Sequence, residues 1–364
     1  MTYILGWKNY SSFFLVGDSV ITIEHPNTDG NRNTFRNQTT FGEDHIYEEV
    51  KTVSERWLKL YDLESKVILA ISGTVEEAYE GINIFRICLD TDSDIKEAFE
   101  KSFSDKDVGI IAGYMEGDFP RLVSYNCMGS KGFIDHPFLK VVHSGSIDSS
   151  FEDQTEEFFS QIEVKEWSDD QIMTSIIAVA QSFCFQKNII SQGVGGFFSG
   201  IRINESGVTW QKDLAFIPFS YNGKDLESNQ LAEIFGKATP VMTQIRDSKL
   251  LSCSSLVGDI KKARQTFSNF QPEKGVNPEI LKNQQSEWDA KWDVKLNKNC
   301  DLLDSNFYIF YNTEKPIVAL VYSKITKPFE IKDGKIKFKY LNLNSFIISV
   351  FSAVDDEFTF IPEF

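Results

Sequence analysis

Paired cysteines, long apolar runs and basic patches are all missing from this chain of 364 residues. The five cysteines, Cys88, Cys127, Cys184, Cys253 and Cys300, are scattered, and none stands in a CxxC pair. An odd, dispersed set argues against a closed disulfide framework. The four histidines, His25, His45, His136 and His143, lack metal-ligand spacing, so neither a metal nor a cofactor is expected. No apolar run approaches membrane-spanning length, and the N-terminus lacks the basic-then-apolar order of a secretion signal. The formal net charge is −16, a balance that repels phosphate backbones. The Lys261-Lys262 pair is isolated, and Lys335, Lys337 and Lys339 alternate as a solvated strand face would. The reading that follows is a protein of a reduced cytoplasm, with no nucleic-acid or membrane partner.

What the chain does contain is apolar and aromatic. The hydrophobic fraction is 41%, with 31 phenylalanines, enough for a large packed core. The length favours two domains, predicted as 1–217 and 218–364.

The most informative segment is the first. Met1-Thr2-Tyr3-Ile4-Leu5-Gly6-Trp7-Lys8 and Phe13-Phe14-Leu15-Val16-Gly17-Asp18 read as two apolar strands joined by the polar turn Asn9 to Ser12. Such a hairpin brings Asp18 back beside Thr2. Removal of Met1, which the small second side chain permits, gives Thr2 both a hydroxyl and a free α-amine. An amine with a reference pKa of about 8 can serve as base for that hydroxyl near neutral pH. The bland alternatives are a threonine that merely follows the start and an aspartate that merely caps a turn.

Further along, residues 25–50 read as a long polar loop. Strands are predicted at 56–61 and 66–71, then a helix carrying Val75, Ala78, Tyr79, Ile82 and Phe85 on one face, then a helix from Asp94 to Phe103. Strands at 108–114, 120–125 and 138–142 follow, then helices near 149–162 and 169–187. A hairpin of 197–203 and 208–217 closes the series. Hairpins alternating with helix pairs predict an α+β chain built as a four-layer αββα sandwich over the first 217 residues. After it comes a smaller α+β region, with Trp288 and Trp292 helically spaced and strands at 306–313, 316–323, 328–340 and 345–351.

The first 217 residues resemble the proteasome β-subunit family and its bacterial ring-peptidase relatives, which are N-terminal nucleophile (Ntn) hydrolases. The motifs that carry the resemblance are Thr2 behind Met1, Gly17-Asp18-Ser19, Lys66 to Gly73 before a helix, Ile110 to Tyr114 before a hairpin, Ser144-Gly145-Ser146, and Gly195-Gly196. The resemblance implies an N-terminal-threonine amidohydrolase, a peptidase acting on a peptide or amide substrate. It also implies a homo-oligomeric ring or a partner protein. Residue by residue, it makes Thr2 the nucleophile, Asp18 the partner of the catalytic cation, Gly73 an oxyanion donor and Ser144 a neighbour of the terminal amine. Aligning the Leu60-Tyr61 step puts Arg56 in the place of the family's lysine. An ungapped count gives Lys59, at a position predicted to face outward. Arginine could act there only electrostatically, because it keeps its proton. The family's late acidic residue falls near Ser191. A second function class stays open on the same fold: a non-catalytic scaffold or sensor acting through residues 218–364.

Overall fold

The computed structural model describes residues 2–24, 46–47, 51–55, 58–91, 94–127, 129–146, 149–162, 167–187, 193–196, 198–212 and 214–221, and eight later strands between 241 and 361. The chain mixes helix with antiparallel sheet. It divides into two compact units: Met1–Asn37, His45–Ile177 and Ile189–Gln211 form the first, and Gln38–Asp44, Ala178–Asn188 and Lys212–Phe364 the second.

The first unit contains β1 (Tyr3–Lys8), β2 (Ser12–Asp18), β3 (Val20–Glu24), β4 (Ile46–Tyr47), β5 (Lys51–Glu55), β6 (Leu60–Leu63) and β7 (Val67–Gly73). Helices α1 (Val75–Asp90) and α2 (Ile95–Phe103) follow. Next come β8 (Val108–Glu116), β9 (Phe119–Tyr125), β10 (Phe133–His136) and β11 (Val142–Gly145), and then α3 (Ser149–Ile162). Helix α4 (Asp169–Lys187) belongs to this unit as far as Ile177, and β12 (Phe198–Asn204) and β13 (Gly207–Trp210) complete it.

Two five-stranded antiparallel sheets form its centre, in the orders β11-β1-β2-β12-β13 and β10-β9-β8-β7-β6. Strand alternation assigns their faces. A Cβ on Gly6 would stand 2.5 Å from Ile111, and one on Gly113 would stand 1.6 Å from the Phe13 ring. Glycine at these points lets side chains of one sheet fill the space over the other. The even residues of β1 therefore face the second sheet, while Tyr3 and Trp7 face away. Tyr3 meets Phe151 of α3 at 4.6 Å between ring centroids, and Trp7 meets Phe159 at 5.0 Å. On the other sheet, Leu69, Ile71, Ile110 and Ala112 pack with Ala78, Ile82 and Phe85 of α1 and Phe99 and Phe103 of α2. Asp94 caps α2, accepting from the N–H groups of Lys96 and Glu97 as an N-cap aspartate should.

Two expectations change. The strand predicted at 138–142 is a turn: Pro137 offers no N–H, Leu139 takes φ 64°, and its N–H donates to Lys8 O at 3.1 Å. Pairing resumes at Val142. The strand predicted at 208–217 is also broken. Gln211 N–H donates to Gly200 O at 3.0 Å, its side-chain oxygen accepts from Gly200 N–H at 2.7 Å, and Leu214 onward leaves the sheet.

The second unit holds α4 from Ala178 and a seven-stranded mixed sheet. Its strands are β14 (Leu214–Tyr221), β15 (Val241–Ile245), β16 (Leu250–Val257), β17 (Lys261–Ser268), β18 (Ser305–Asn312), β19 (Val318–Ser323) and β22 (Phe358–Ile361), with β20 (Phe329–Lys332) and β21 (Lys335–Phe338) paired apart. Strands β15 to β17 were not expected: their serines and lysines hide a β pattern whose support is the pairing itself. The loop tract 25–45, Trp288, Trp292 and the strand expected at 345–351 lie outside the described residues.

Candidate functional site

The β1–β2 hairpin puts Asp18 at the end of β2, directly across from Tyr3, as the register Ile4 to Gly17 requires. Tyr3 N–H donates to Asp18 Oδ1 at 3.1 Å. Gly195 N–H, from the Gly195-Gly196 turn before β12, donates to the other carboxylate oxygen at 2.8 Å. The Lys59 ammonium pairs with Oδ1 and also donates to Val20 O at 2.6 Å. Asp18 and Lys59 are both fully buried. Burial pushes the Asp18 carboxyl upward, against Lys59 and the two backbone donors, which favour the charged form. Burial likewise pulls the Lys59 ammonium down, against the attraction of Asp18.

Lys59 is thus a correction to the sequence reading, which had it facing outward. It stands just before β6, and its carbonyl accepts from Ile71 N–H at 3.1 Å, so it is tied to β7 while its side chain runs inward to Asp18. Arg56, the preferred residue at that place, lies outside the described residues, as do Met1 and Ser191.

Thr2 is buried at 6% exposure. Its carbonyl accepts from Ser146 N–H at 2.9 Å. The approach of β11 is close enough to demand glycine next to it: Gly145 has φ 124°, and a Cβ there would stand 1.7 Å from Thr2 O. Ser144 pairs with Ile4, so it shares with Thr2 the face turned toward the second sheet. There its Oγ lies 3.0 Å from Ser72 Oγ.

Gly73 closes β7 with φ 110°, and a Cβ on it would stand 2.3 Å from Asp107 O. Only glycine meets both demands. The loop beyond is fixed by Thr74 N–H donating to Asp107 O at 3.3 Å and by Asp107 N–H donating to the Glu77 carboxylate. Gly73 is exposed, whereas its neighbour Ser72 is buried.

The structure therefore gathers Asp18 and Lys59 at the backbone next to Thr2, and Ser144 on the face that Thr2 shares. Sequence reading passed over Gly195 as a carboxylate donor and Ser72 as a partner of Ser144. The Gly-Gly pair was visible as a turn, but nothing local to it points to residue 18. Among the described residues, no group of three acidic, histidine or cysteine side chains is placed to hold a metal ion. Also among them, no helix is long and apolar enough to cross a membrane.

No family model matches the chain, and no curated protein matches it. Among solved structures it is similar to eukaryotic HslV from Trypanosoma brucei, at 13% identity over 56% of this chain and 100% of that one, with a TM-score of 0.38.

Proposed function

We propose that the first unit is an Ntn hydrolase of the proteasome-like kind and that Thr2 is its nucleophile, an amidohydrolase cleaving peptide bonds. The observation that carries this reading is the buried Asp18. It bridges the Lys59 ammonium, Gly195 N–H and the N–H of the residue that follows Thr2. A paired charge wholly removed from water is expensive to keep for stability alone. Beside a hydroxyl, the Lys59 cation favours the alkoxide that forms on attack.

In the proposed reaction, Thr2 Oγ attacks the scissile carbonyl while the Thr2 α-amine takes the hydroxyl proton. The developing oxyanion is met by Gly73 N–H, a type of donor worth about 3 kcal/mol in the transition state. The protonated amine returns its proton to the leaving nitrogen, the C–N bond breaks, and an ester remains on Thr2. Water, deprotonated by the same amine, then hydrolyses that ester.

The packing of α1 and α2 on one sheet, and of α3 on the other, supports a four-layer αββα arrangement for this unit. Residues beyond it form a separate region whose role would lie in binding or assembly. Ile87, 63% exposed on α1, supports a homo-oligomer joined through that helix layer. A reduced cytoplasm remains the compartment proposed.

The test is intact mass together with labelling. Loss of Met1, acylation of Thr2 by a β-lactone, and peptidase activity abolished in Thr2→Ala are the expected results. An unlabelled Thr2 with Met1 retained would instead leave a non-catalytic scaffold on the same fold.

A further inference from the structure

Ser72 plays no part in the reaction as proposed, yet its hydroxyl is at the end of a chain of hydrogen bonds that leads to Ser144. Ser72 Oγ lies 3.1 Å from Gly109 O and 3.0 Å from Ser144 Oγ. Both serines are buried, at 6% and 8% exposure. Gly109 makes the meeting possible, because a Cβ there would stand 2.7 Å from Ser72 Oγ and 2.8 Å from Ser144 Oγ. Cys127 closes the back of the cluster. Its Sγ is 3.1 Å from Ile110 O, and burial pushes its thiol up to about 11, so it keeps its proton and donates to that carbonyl.

The Ser72–Ser144 contact by itself admits either hydroxyl as donor; the bond to Gly109 O gives the chain a direction when both are made. A carbonyl oxygen can only accept, so the single Ser72 proton goes to Gly109 O. Ser72 Oγ is then left to accept, and the Ser144 proton goes to it. With that proton directed at Ser72 Oγ, Ser144 presents lone pairs; its hydroxyl also reaches the Cys127 thiol, a second acceptor behind it. By strand alternation it presents them on the face it shares with Thr2.

We propose that Ser72 is a positioning residue that holds the Ser144 hydroxyl as a hydrogen-bond acceptor for the Thr2 α-amine. This rests on the reading of Thr2 as nucleophile. An acceptor at that point takes an amine N–H, which turns the nitrogen lone pair toward the Thr2 hydroxyl. The same acceptor favours the ammonium form that arises when the amine removes the hydroxyl proton. Without Ser72, the Ser144 hydroxyl keeps only the Cys127 thiol as a neighbour and can turn to donate to the amine lone pair, which blocks the base and favours the neutral amine.

The experiment uses the full-length chain and a β-lactone probe. The rate of Thr2 acylation is followed by intact mass and peptide mapping between about pH 5 and 9, where the α-amine titrates. Thr2→Ala is the blank. Ser72→Ala is expected to slow acylation roughly tenfold, within the usual range for general-base effects. It should also move the midpoint of the pH–rate curve down by about half a unit, since a bond that favoured the charged amine is gone. Ser72→Thr keeps the hydroxyl and should restore the midpoint. Ser144→Ala should match Ser72→Ala, and the double variant should be no slower than either. Ser72→Cys, nearly isosteric with a weaker donor, gives a shift in the same direction and serves if Ser72→Ala does not fold. A Ser72→Ala protein with the wild-type rate and midpoint overturns the inference and leaves the Thr2 reading intact. So does one that is slower with an unmoved midpoint, the mark of a merely structural role. Failure of the wild-type chain to acylate at Thr2 overturns both.

Discussion

The Lys59–Asp18 pair and the Arg202 cluster are both ion pairs of the first unit, but water reaches only the second. Arg202 Nη1 is 2.8 Å from Asp169 and Nη2 is 3.2 Å from Asp170, with the three side chains 15%, 23% and 36% exposed. Asn204 Nδ2 adds a bond to Asp169 at 2.9 Å. This cluster pins the first turn of α4 to the end of β12, and its acidic residues also suit a helix N-terminus. It is a fastening, cheap to form and cheap to lose. Lys59 and Asp18 have surrendered all of their hydration, and two backbone N–H groups are spent on the carboxylate. The difference teaches where function is to be sought. A half-wet pair needs no reason beyond local stability, whereas a dry one next to Thr2 fits a requirement for fixed charge.

The sharpest way to break the comparison is Asp18→Ala. It strands the Lys59 ammonium and two backbone donors in the core, so unfolding free energy should fall by about 3–5 kcal/mol. Chemical denaturation reads this directly, and a loss as small as that of an Arg202 variant would contradict the contrast. Lys59→Met should cost about 3 kcal/mol near neutral pH and less in acid. The sign follows from Asp18. Without its cation, the buried carboxyl has a folded pKa above its unfolded one, so stability is kept at low pH and is lost as pH rises past the unfolded value. Denaturation midpoints of the variant across that range provide the check.

His143 extends the comparison to a buried group that, among the described residues, has no ion-pair partner. Tyr3 Oη lies 2.8 Å from its Nδ1, its buried Nε2 has no hydrogen-bond partner among the described residues, and burial lowers its pKa to about 4. The unfolded state takes up a proton below about 6.5 while the folded state does not. Stability is therefore unaffected above that pH and falls as pH drops toward 4, by up to about 3 kcal/mol. His143→Phe should flatten this part of the pH–stability curve. Smallest of all, Arg202→Ala should cost only about 1 kcal/mol, and added salt should shrink it further. If salt leaves it unchanged, the cluster is not the wet fastening described here.

Much of the first unit could be read before any coordinates. The helical face of α1, the spans of α2 and α3 and the β1–β2 hairpin depend on neighbours within a few residues, and they form where the pattern puts them. Breaks that depend on distant partners were not legible. Leu214 to Ile217 continues the apolar pattern of β13, yet it pairs with β15 and β18, strands far away in sequence. The Leu139 turn is closed by Lys8 O, more than a hundred residues back, and no local signal marks it.

The candidate site divides along the same line. Sequence alone set Thr2 at the head of a hairpin whose register brings Asp18 back to it, because a short turn between two apolar strands allows little else. It also set glycine at 73 and 145, where left-handed backbone and crowding admit no side chain. Which cation faces Asp18 was decided only in three dimensions. Arg56 and Lys59 differ by three residues, and strand alternation cannot choose between them when the strand begins after both. Burial against Val20 O and Asp18 chose Lys59. A long side chain takes its direction from the partner it can reach, and that partner comes from another part of the chain.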